Sequence, residues 1–379
     1  MALVWTEEQQ LLREVSRTFL DQHAPIGELR RIRDEVDPDG FSRPLWKEMA
    51  ELGWAGIPFP EKYGGADLGC AEIGVVMREC GRTLAATPLV GSVLLGGTVV
   101  ALAGNDTQRK EILTPLCSGE RLLTAAIQEG AYHQPYRVAT SARRDGNDWV
   151  LSGAKDFVID GHAADQLVVV ARLAGDTDDR DGLGLFLVDA DAARMSRHRR
   201  RMADGRNVAQ IVLDDVRVPD AAALGEPGRA ADWLDATLDR ATAGLCAEML
   251  GGIEAVFDRT LAYLKVREQF GVPIGSFQAL KHRAAKMFIE IELSKTVVLE
   301  ALQALDADAE DAPRLVGIAK AKLGDAAQLI SNEGVQMHGG IGVTDEEDVG
   351  LFLKRCRVQQ RTFGDTRFHR DRVASLNGF

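Results

Sequence analysis

Two short stretches hold residues of the kind that grip a phosphate or a flat ring. The first is Arg267-Glu268-Gln269-Phe270-Gly271-Val272-Pro273-Ile274-Gly275-Ser276-Phe277-Gln278, which breaks two long helical patterns. Arg267 is a permanent cation whose planar fork suits a phosphate. Gly271, Pro273 and Gly275 turn the chain, Phe270 and Phe277 can pack on a ring, and Gln278 opens the next helix. The plain alternative is a helix–helix turn with phenylalanine plugs. The second stretch, Gln336-Met337-His338-Gly339-Gly340-Ile341-Gly342, ends a third long helix. Gln336 offers an amide, and Gly339 and Gly340 let backbone N–H groups come close to a ligand. A plain helix cap accounts for one glycine, not for three beside a Gln and a His. His338 reads either as a cofactor contact or as a packed histidine, and no catalytic role is assigned to it.

The elements that must hold these stretches follow from periodicity. From residue 1 to 120, apolar residues recur at helical spacing (Leu11, Val15, Phe19; Ile73, Val76, Met77), with breaks such as "PFPEKYGG". From 121 to 225, short β-branched runs ("DWVLSGAKDFVIDG", "DQLVVVARL", "GLGLFLVDA", "VAQIVLDDVRV") predict an antiparallel barrel or sandwich, with "GDTDDRDG" at 175–182 as a hairpin tip. From 229 to 379 the pattern is helical again, with one apolar face held from Leu234 to Leu264 and a second long helix over about 277–305. Pro313 fits the first turn of a third. Long antiparallel helices of this kind predict a bundle that assembles further.

Composition removes several classes of function. The 379-residue chain carries a formal net charge of −12, so neither nucleic acid nor an anionic membrane is expected as its main partner. The basic run Arg197-His198-Arg199-Arg200-Arg201 stands against that trend; it reads as a solvated turn or, more sharply, as a contact for phosphate or an acidic surface. Cys70, Cys80, Cys117, Cys246 and Cys356 form no CxxC pair, and no cluster has metal-ligand spacing, so no metal site is expected. Isolated cysteines point to a reducing cytoplasm. "MALVWTEEQQLLREV" lacks the basic start of a signal peptide, and the apolar run over 88–104 reads as a buried helix rather than a membrane span.

"YLKVREQFGVPIGSFQALKHRAAKM" and "QMHGGIGVTDEEDVGLFLKR" resemble the two C-terminal signatures of the acyl-CoA dehydrogenases. The resemblance covers the whole chain. Within the family, "DGLGLFLVDA", "CAEMLGG" and "FGDTRFHR" are similar to small subunits of bacterial heteromeric enzymes of the pimeloyl-CoA dehydrogenase type. It implies three domains: an N-terminal helical domain (1–120), a central antiparallel β-barrel domain (121–225) and a C-terminal four-helix bundle (229–379). It also implies FAD, an acyl-CoA substrate dehydrogenated at its α,β carbons, and an electron-transfer flavoprotein as acceptor. Arg267, Phe270, Gln278, Gln336, Gly339, Gly340 and Thr366 carry over as cofactor-binding positions, the first six serving an FAD held mainly by a neighbouring subunit. Asp239 carries over as a substrate-binding residue.

The same resemblance exposes departures. The base glutamate of the family's Tyr-Glu-Gly-Thr segment is replaced here, in Phe363-Gly364-Asp365-Thr366, by Gly364. The alternative base position falls on Ala241. The flavin-side Thr-Glu-Pro reads Gln128-Glu129-Gly130, Trp-Ile-Thr reads Phe157-Val158-Ile159, and the Asp-x-x-Arg pair keeps Asp239 but has Thr242 for its Arg. These losses suggest a chain that completes the FAD site of a larger homologous subunit carrying the base. The alternatives are a self-sufficient homotetramer using Asp365 or Asp239 as a displaced base, and a non-catalytic scaffold. The plainer reading comes first for both: Asp365 as a helix N-cap and Asp239 as a binding residue for the CoA chain; Glu248 and Glu254 read as solvated or interface carboxylates.

Overall fold

The computed structural model describes residues 4–379. The first half of the chain forms α1 (Glu7–His23), α2 (Ile26–Asp34), α3 (Arg43–Glu51), α4 (Cys70–Thr83), α5 (Thr98–Ala103) and α6 (Asp106–Cys117). The strands β1 (Leu123–Ala126), β2 (Ser141–Asp145), β3 (Asp148–Ile159), β4 (Gln166–Arg172), β5 (Leu183–Asp189), β6 (Met195–Arg201), β7 (Asn207–Pro219) and β8 (Ala223–Gly228) follow. The last third contains α7 (Ala231–Val266), the two-residue strands β9 (Glu268–Gln269) and β10 (Val272–Pro273), then α8 (Gln278–Asp306), α9 (Ala312–His338), α10 (Val349–Arg361) and α11 (Thr366–Leu376). The chain divides into two compact units: residues 1–31, 70–85 and 242–379 form one, and residues 32–69 and 86–241 the other.

The first unit is helical. Thr6 and Gln9 close a capping box at the start of α1. α4 is buried nearly all round, the pattern of a central helix, and its first two N–H groups, from Cys70 and Ala71, are capped by the Asp306 carboxylate at the end of α8. α4 meets α7 backbone to backbone. A β-carbon on Gly81 would fall 1.9 Å from the carbonyl oxygen of Glu248, and one on Gly251 1.8 Å from that of Arg78. Charge is paired inside this unit. Glu248, 1% exposed, meets Arg355 at 2.9 Å, and Glu254 meets Arg78 at 2.6 Å. The expectation of solvated or interface carboxylates at 248 and 254 is therefore corrected: both neutralise an arginine that burial would otherwise leave unpaired.

The second unit is built on one eight-stranded sheet, in the order β6-β7-β3-β2-β4-β5-β8 with β1 against β4. The expected antiparallel barrel is corrected in two respects. β1 and β2 pair with β4 in parallel, and the strand path is open rather than closed. Trp149 and Phe186, with ring centroids 5.2 Å apart, lie in its core beside Leu167, Val169, Ile211 and Val216. The tip over 175–182 does join the antiparallel strands β4 and β5. Arg172 gathers it in by donating to the carbonyls of Thr177, Asp179 and Asp181.

The basic run is a strand, β6, rather than a solvated turn. Its arginines are occupied by the protein: Arg197 by the carbonyls of His162 and Ala164, Arg199 by those of Asp37 and Pro38, and Arg200 by Asp156 and Gln210. The apolar run near residue 90 is a buried π-helical stretch, Leu89–Gly97, continued by α5. Among the described residues no helix is long and apolar enough to cross a membrane.

The α4–α7 contact yields a test of sign. Glycine inside a helix costs about 1 kcal/mol relative to alanine, so Gly251→Ala would stabilise an isolated α7. Here the added methyl collides with a main-chain oxygen that cannot rotate away. Gly251→Ala is expected to destabilise the protein by roughly 1–3 kcal/mol, the usual cost of overpacking, as read by chemical denaturation.

Candidate active site

α7 ends at Val266, and the chain folds into the hairpin β9–β10, in which Val272 pairs with Gln269 and Pro273 with Glu268. Its two turn residues are left-handed, Phe270 at φ 56° and Gly271 at φ 78°, the signature of a type I′ turn. Glycine adopts this conformation freely; phenylalanine does so at a cost. The Phe270 ring is 92% exposed and meets Phe277 edge-on, with centroids 6.1 Å apart. Among the described residues the Arg267 guanidinium has no hydrogen-bond or ion-pair partner, and Gln278 is exposed. Gly275 allows a close approach, since a β-carbon there would lie 2.8 Å from the carbonyl oxygen of Leu264.

The end of α9 carries three glycines, two of which the geometry requires. Gly339 sits at φ 67°, ψ −140°, open essentially to glycine alone. Gly342 would put a β-carbon 2.6 Å from the carbonyl oxygen of Val335, and Gly340 faces open space. His338 is packed: its Nδ1 lies 2.7 Å from the Gly334 carbonyl oxygen, and its ring stacks on Tyr263 at 4.5 Å. Tyr263 stands one turn before Arg267, whose N–H donates to its carbonyl. Arg283 near the start of α8 pairs with Glu333 near the end of α9. The structure therefore brings Arg267, Phe270, Gln278, Gln336, Gly339 and Gly340 to one end of the helical unit.

Thr366 does not join them. It is the first residue of α11, just after the α10–α11 turn, with Oγ1 3.5 Å from the carbonyl of Ala321. From Ala321 to Gln336 is about 22 Å along α9 at 1.5 Å per residue. In this turn Phe363 and Gly364 have φ of 58° and 96°. Lys320, with no exposed surface, donates to the carbonyls of Gly364 (2.7 Å) and Gln360 (3.3 Å). Burial pushes its pKa down to about 8, opposed only in part by Cys246 and Asp365. Asp365 caps α11 by accepting from the N–H of Phe368 at 3.0 Å, and that bond is the main reason its carboxyl titrates below the ordinary range. Ala241 and Asp239 lie on α7, both buried.

Between β3 and the segment that follows β1, sequence reasoning missed a buried ion pair. Lys155 Nζ, without exposed surface, donates to Glu129 at 2.5 Å and to the Ile127 carbonyl at 3.2 Å. Glu129 also accepts from the N–H groups of Ala139 and Thr140, closing the loop between them. Burial raises the Glu129 carboxyl, but Lys155 and these bonds outweigh it and hold it low. Burial lowers Lys155 to about 8. The signal was a lysine at an inward position of an apolar strand. A register shift against β7 between Lys155 and Val158 turns Phe157 outward at φ 53° and Val158 inward. Gln128 spends its amide on the Gly130 carbonyl.

Family models for the acyl-CoA dehydrogenase N-terminal, middle and C-terminal domains match residues 6–120, 128–216 and 231–376. The chain belongs to the acyl-CoA dehydrogenase family. A probable acyl-CoA dehydrogenase, YngJ of Bacillus subtilis, is 32% identical over 374 residues, 96% of each chain. Among solved structures, a Tcur3481–Tcur3483 steroid ACAD variant is 32% identical, with TM-score 0.88 over 98% of this chain and 97% of that one. The ChsE4–ChsE5 complex of Mycobacterium tuberculosis is 26% identical, with TM-score 0.90 over the whole of both chains. Acyl-CoA dehydrogenases are oxidoreductases of CH–CH bonds with FAD as cofactor, and the chain is an enzyme of that class. An unpartnered guanidinium beside exposed rings, and a turn open only to glycine, are donors that suit a dinucleotide.

Two measurements follow. Lys155 titrates lower in the folded protein than unfolded, so between about pH 8 and its ordinary value the unfolded chain binds more protons. Stability of the wild type relative to Lys155→Met should therefore rise between those limits in melts taken along pH. Glu129→Gln, which leaves the buried ammonium without a counter-charge, should cost roughly 3–5 kcal/mol at pH 7.

Proposed function

We propose that this chain works as the small subunit of a heteromeric acyl-CoA dehydrogenase, completing the FAD site of a larger homologous subunit that carries the base. The observation that carries the reading is the state of the base positions. Gly364 has a backbone that disfavours any side chain, and a β-carbon there would lie 2.4 Å from the Phe368 ring. Ala241 is fully buried. Asp365, the nearest substitute, is committed to α11 and acidified by it, the wrong direction for a proton acceptor.

By contrast, the end of the unit bearing Arg267 and Gln336 faces outward with its donors unspent. Arg267 would take the diphosphate, Gly339 and Gly340 would bring main-chain N–H groups to it, and Phe270, Phe277 and Gln278 would flank the dinucleotide. When bound, FAD supplies the hydride acceptor. Phe288, Ile289 and Leu293 leave apolar surface exposed on the same α8 that Gln278 opens, which supports assembly with a related chain. Two of the matched structures carry paired protein names, which supports a heteromeric partner. The steroid named for one of them suggests a bulky acyl thioester here. An electron-transfer flavoprotein is the proposed acceptor, and the cytoplasm the proposed compartment.

Purified alone, the chain should contain far less than one flavin per polypeptide and should not bleach added FAD with acyl-CoA. A flavin-replete, active homo-oligomer would end the proposal. In the complex with the larger subunit, Arg267→Ala should weaken FAD binding by about 10- to 100-fold, the loss of one charged hydrogen-bond pair, read by equilibrium dialysis. Unchanged flavin content would reduce the chain to a scaffold. Asp365→Asn should leave turnover of that complex intact and cost less than about 1 kcal/mol, because asparagine caps helices as well as aspartate does.

A further inference from the structure

The turn between α10 and α11 holds a matched pair of residues. A β-carbon on Gly364 would fall 2.4 Å from Cδ1 and 3.0 Å from Cγ of Phe368, and 3.1 Å from Nε2 of His369. Carbon atoms that are not bonded sit about 3.5–4.0 Å apart, so the ring already stands where a side chain at 364 would begin. The surroundings keep it there. His369 is buried, bonds the Phe363 carbonyl at 2.8 Å through Nε2, and meets the Phe368 ring edge-on with centroids 5.1 Å apart. The Phe368 N–H is held by Asp365, and the Gly364 carbonyl by Lys320. The backbone before the ring is thus tied to the buried Lys320 and His369, and the N–H of Phe368 itself to Asp365.

We propose that Phe368 is a plug that occupies the volume of the missing base and closes the reacting end of this chain's own acyl site. The proposal rests on the small-subunit reading only in taking 364 as the base position. Loss of the carboxylate and gain of the ring are then one change in two residues. A glutamate restored at 364 has no room until the ring is removed. A chain closed in this way does not compete with its partner for acyl-CoA, which suits a subunit that serves the partner's site.

The test uses the full-length chain as wild type, Gly364→Ala, Phe368→Ala and the double variant. Gly364→Ala should lower Tm by several degrees in the wild-type background and by clearly less in Phe368→Ala. The share of the loss owed to the ring disappears there, while the share owed to the positive φ remains. Equal losses in both backgrounds would overturn the plug. Isothermal titration with octanoyl-CoA reads the closure directly: Phe368→Ala should bind on the order of tenfold more tightly than wild type, and an unchanged affinity would overturn it. Neither readout involves flavin, so a flavin-replete wild type would sink the small-subunit reading while leaving the coupling between 364 and 368 to be decided on its own.

Discussion

The ammonium of Lys320 donates to the main-chain oxygens of Gln360 and Gly364 from a position without exposed surface, and the geometry of the α10–α11 turn depends on that contact. Taking an ammonium out of water costs several kcal/mol unless its donors are filled, so the carbonyls that fill them are held to one arrangement. That arrangement places Phe363 and Gly364 in the left-handed region. A left-handed residue 364 favours glycine, and glycine there leaves the space that Phe368 takes. The preference for glycine at 364 is thus built into the backbone, not only into the residue type. Lys155 plays a parallel part in the other unit, where it holds Glu129 and, through it, the loop that returns at Ala139 and Thr140.

A single rule separates structural from available charge in this molecule. Arg78, Arg172 and Arg355 are buried and fully engaged by carboxylates or carbonyls. Each has its partner inside the chain because water cannot supply one. Arg267 lies outside that rule, since solvent satisfies it until a ligand arrives. Many exposed arginines are paired with carboxylates, as Arg217 is with Asp145 and Arg370 with Asp325, whereas Arg267 stands in the turn that bears the exposed Phe270 and Phe277 rings. The β6 arginines show why density of charge in the sequence is a poor guide: Arg197, Arg199 and Arg201 are tied down by neighbouring carbonyls and Arg200 by Asp156 and Gln210.

What could be read in advance follows the range of the forces involved. The long helices, the break at 267–278 and the cap at Asp365 depend on residues within a turn or two of each other, and local pattern is enough to see them. The packing of His338 was one of two readings and was decided by Tyr263, seventy-five positions earlier in the chain. The parallel pairing of β1 and β2 with β4 was invisible because β-branched runs look alike whichever neighbour they join. Glu248 and Glu254 looked like surface residues because nothing local announces an arginine at 355 or 78. The clash at Gly364 was the least legible feature. The glycine at 364 could be read, but not that the Phe368 ring lies against it.

Phe270 connects these points to assembly. A phenylalanine at φ 56° with its ring exposed costs about 1–3 kcal/mol, and within the chain little but the edge contact with Phe277 offsets it. Strain of this kind persists where the surrounding structure over-determines it, and here the β9–β10 hairpin supplies the constraint by holding Gln269 against Val272. The ring is thereby fixed in position before any ligand or partner arrives, so its ordering need not be met at the moment of binding. Under the proposed reading, a cofactor gripped by such preset groups from one chain and by the pocket of another binds tightly only when both are present. Occupancy then depends on assembly through mass action, with no conformational switch required.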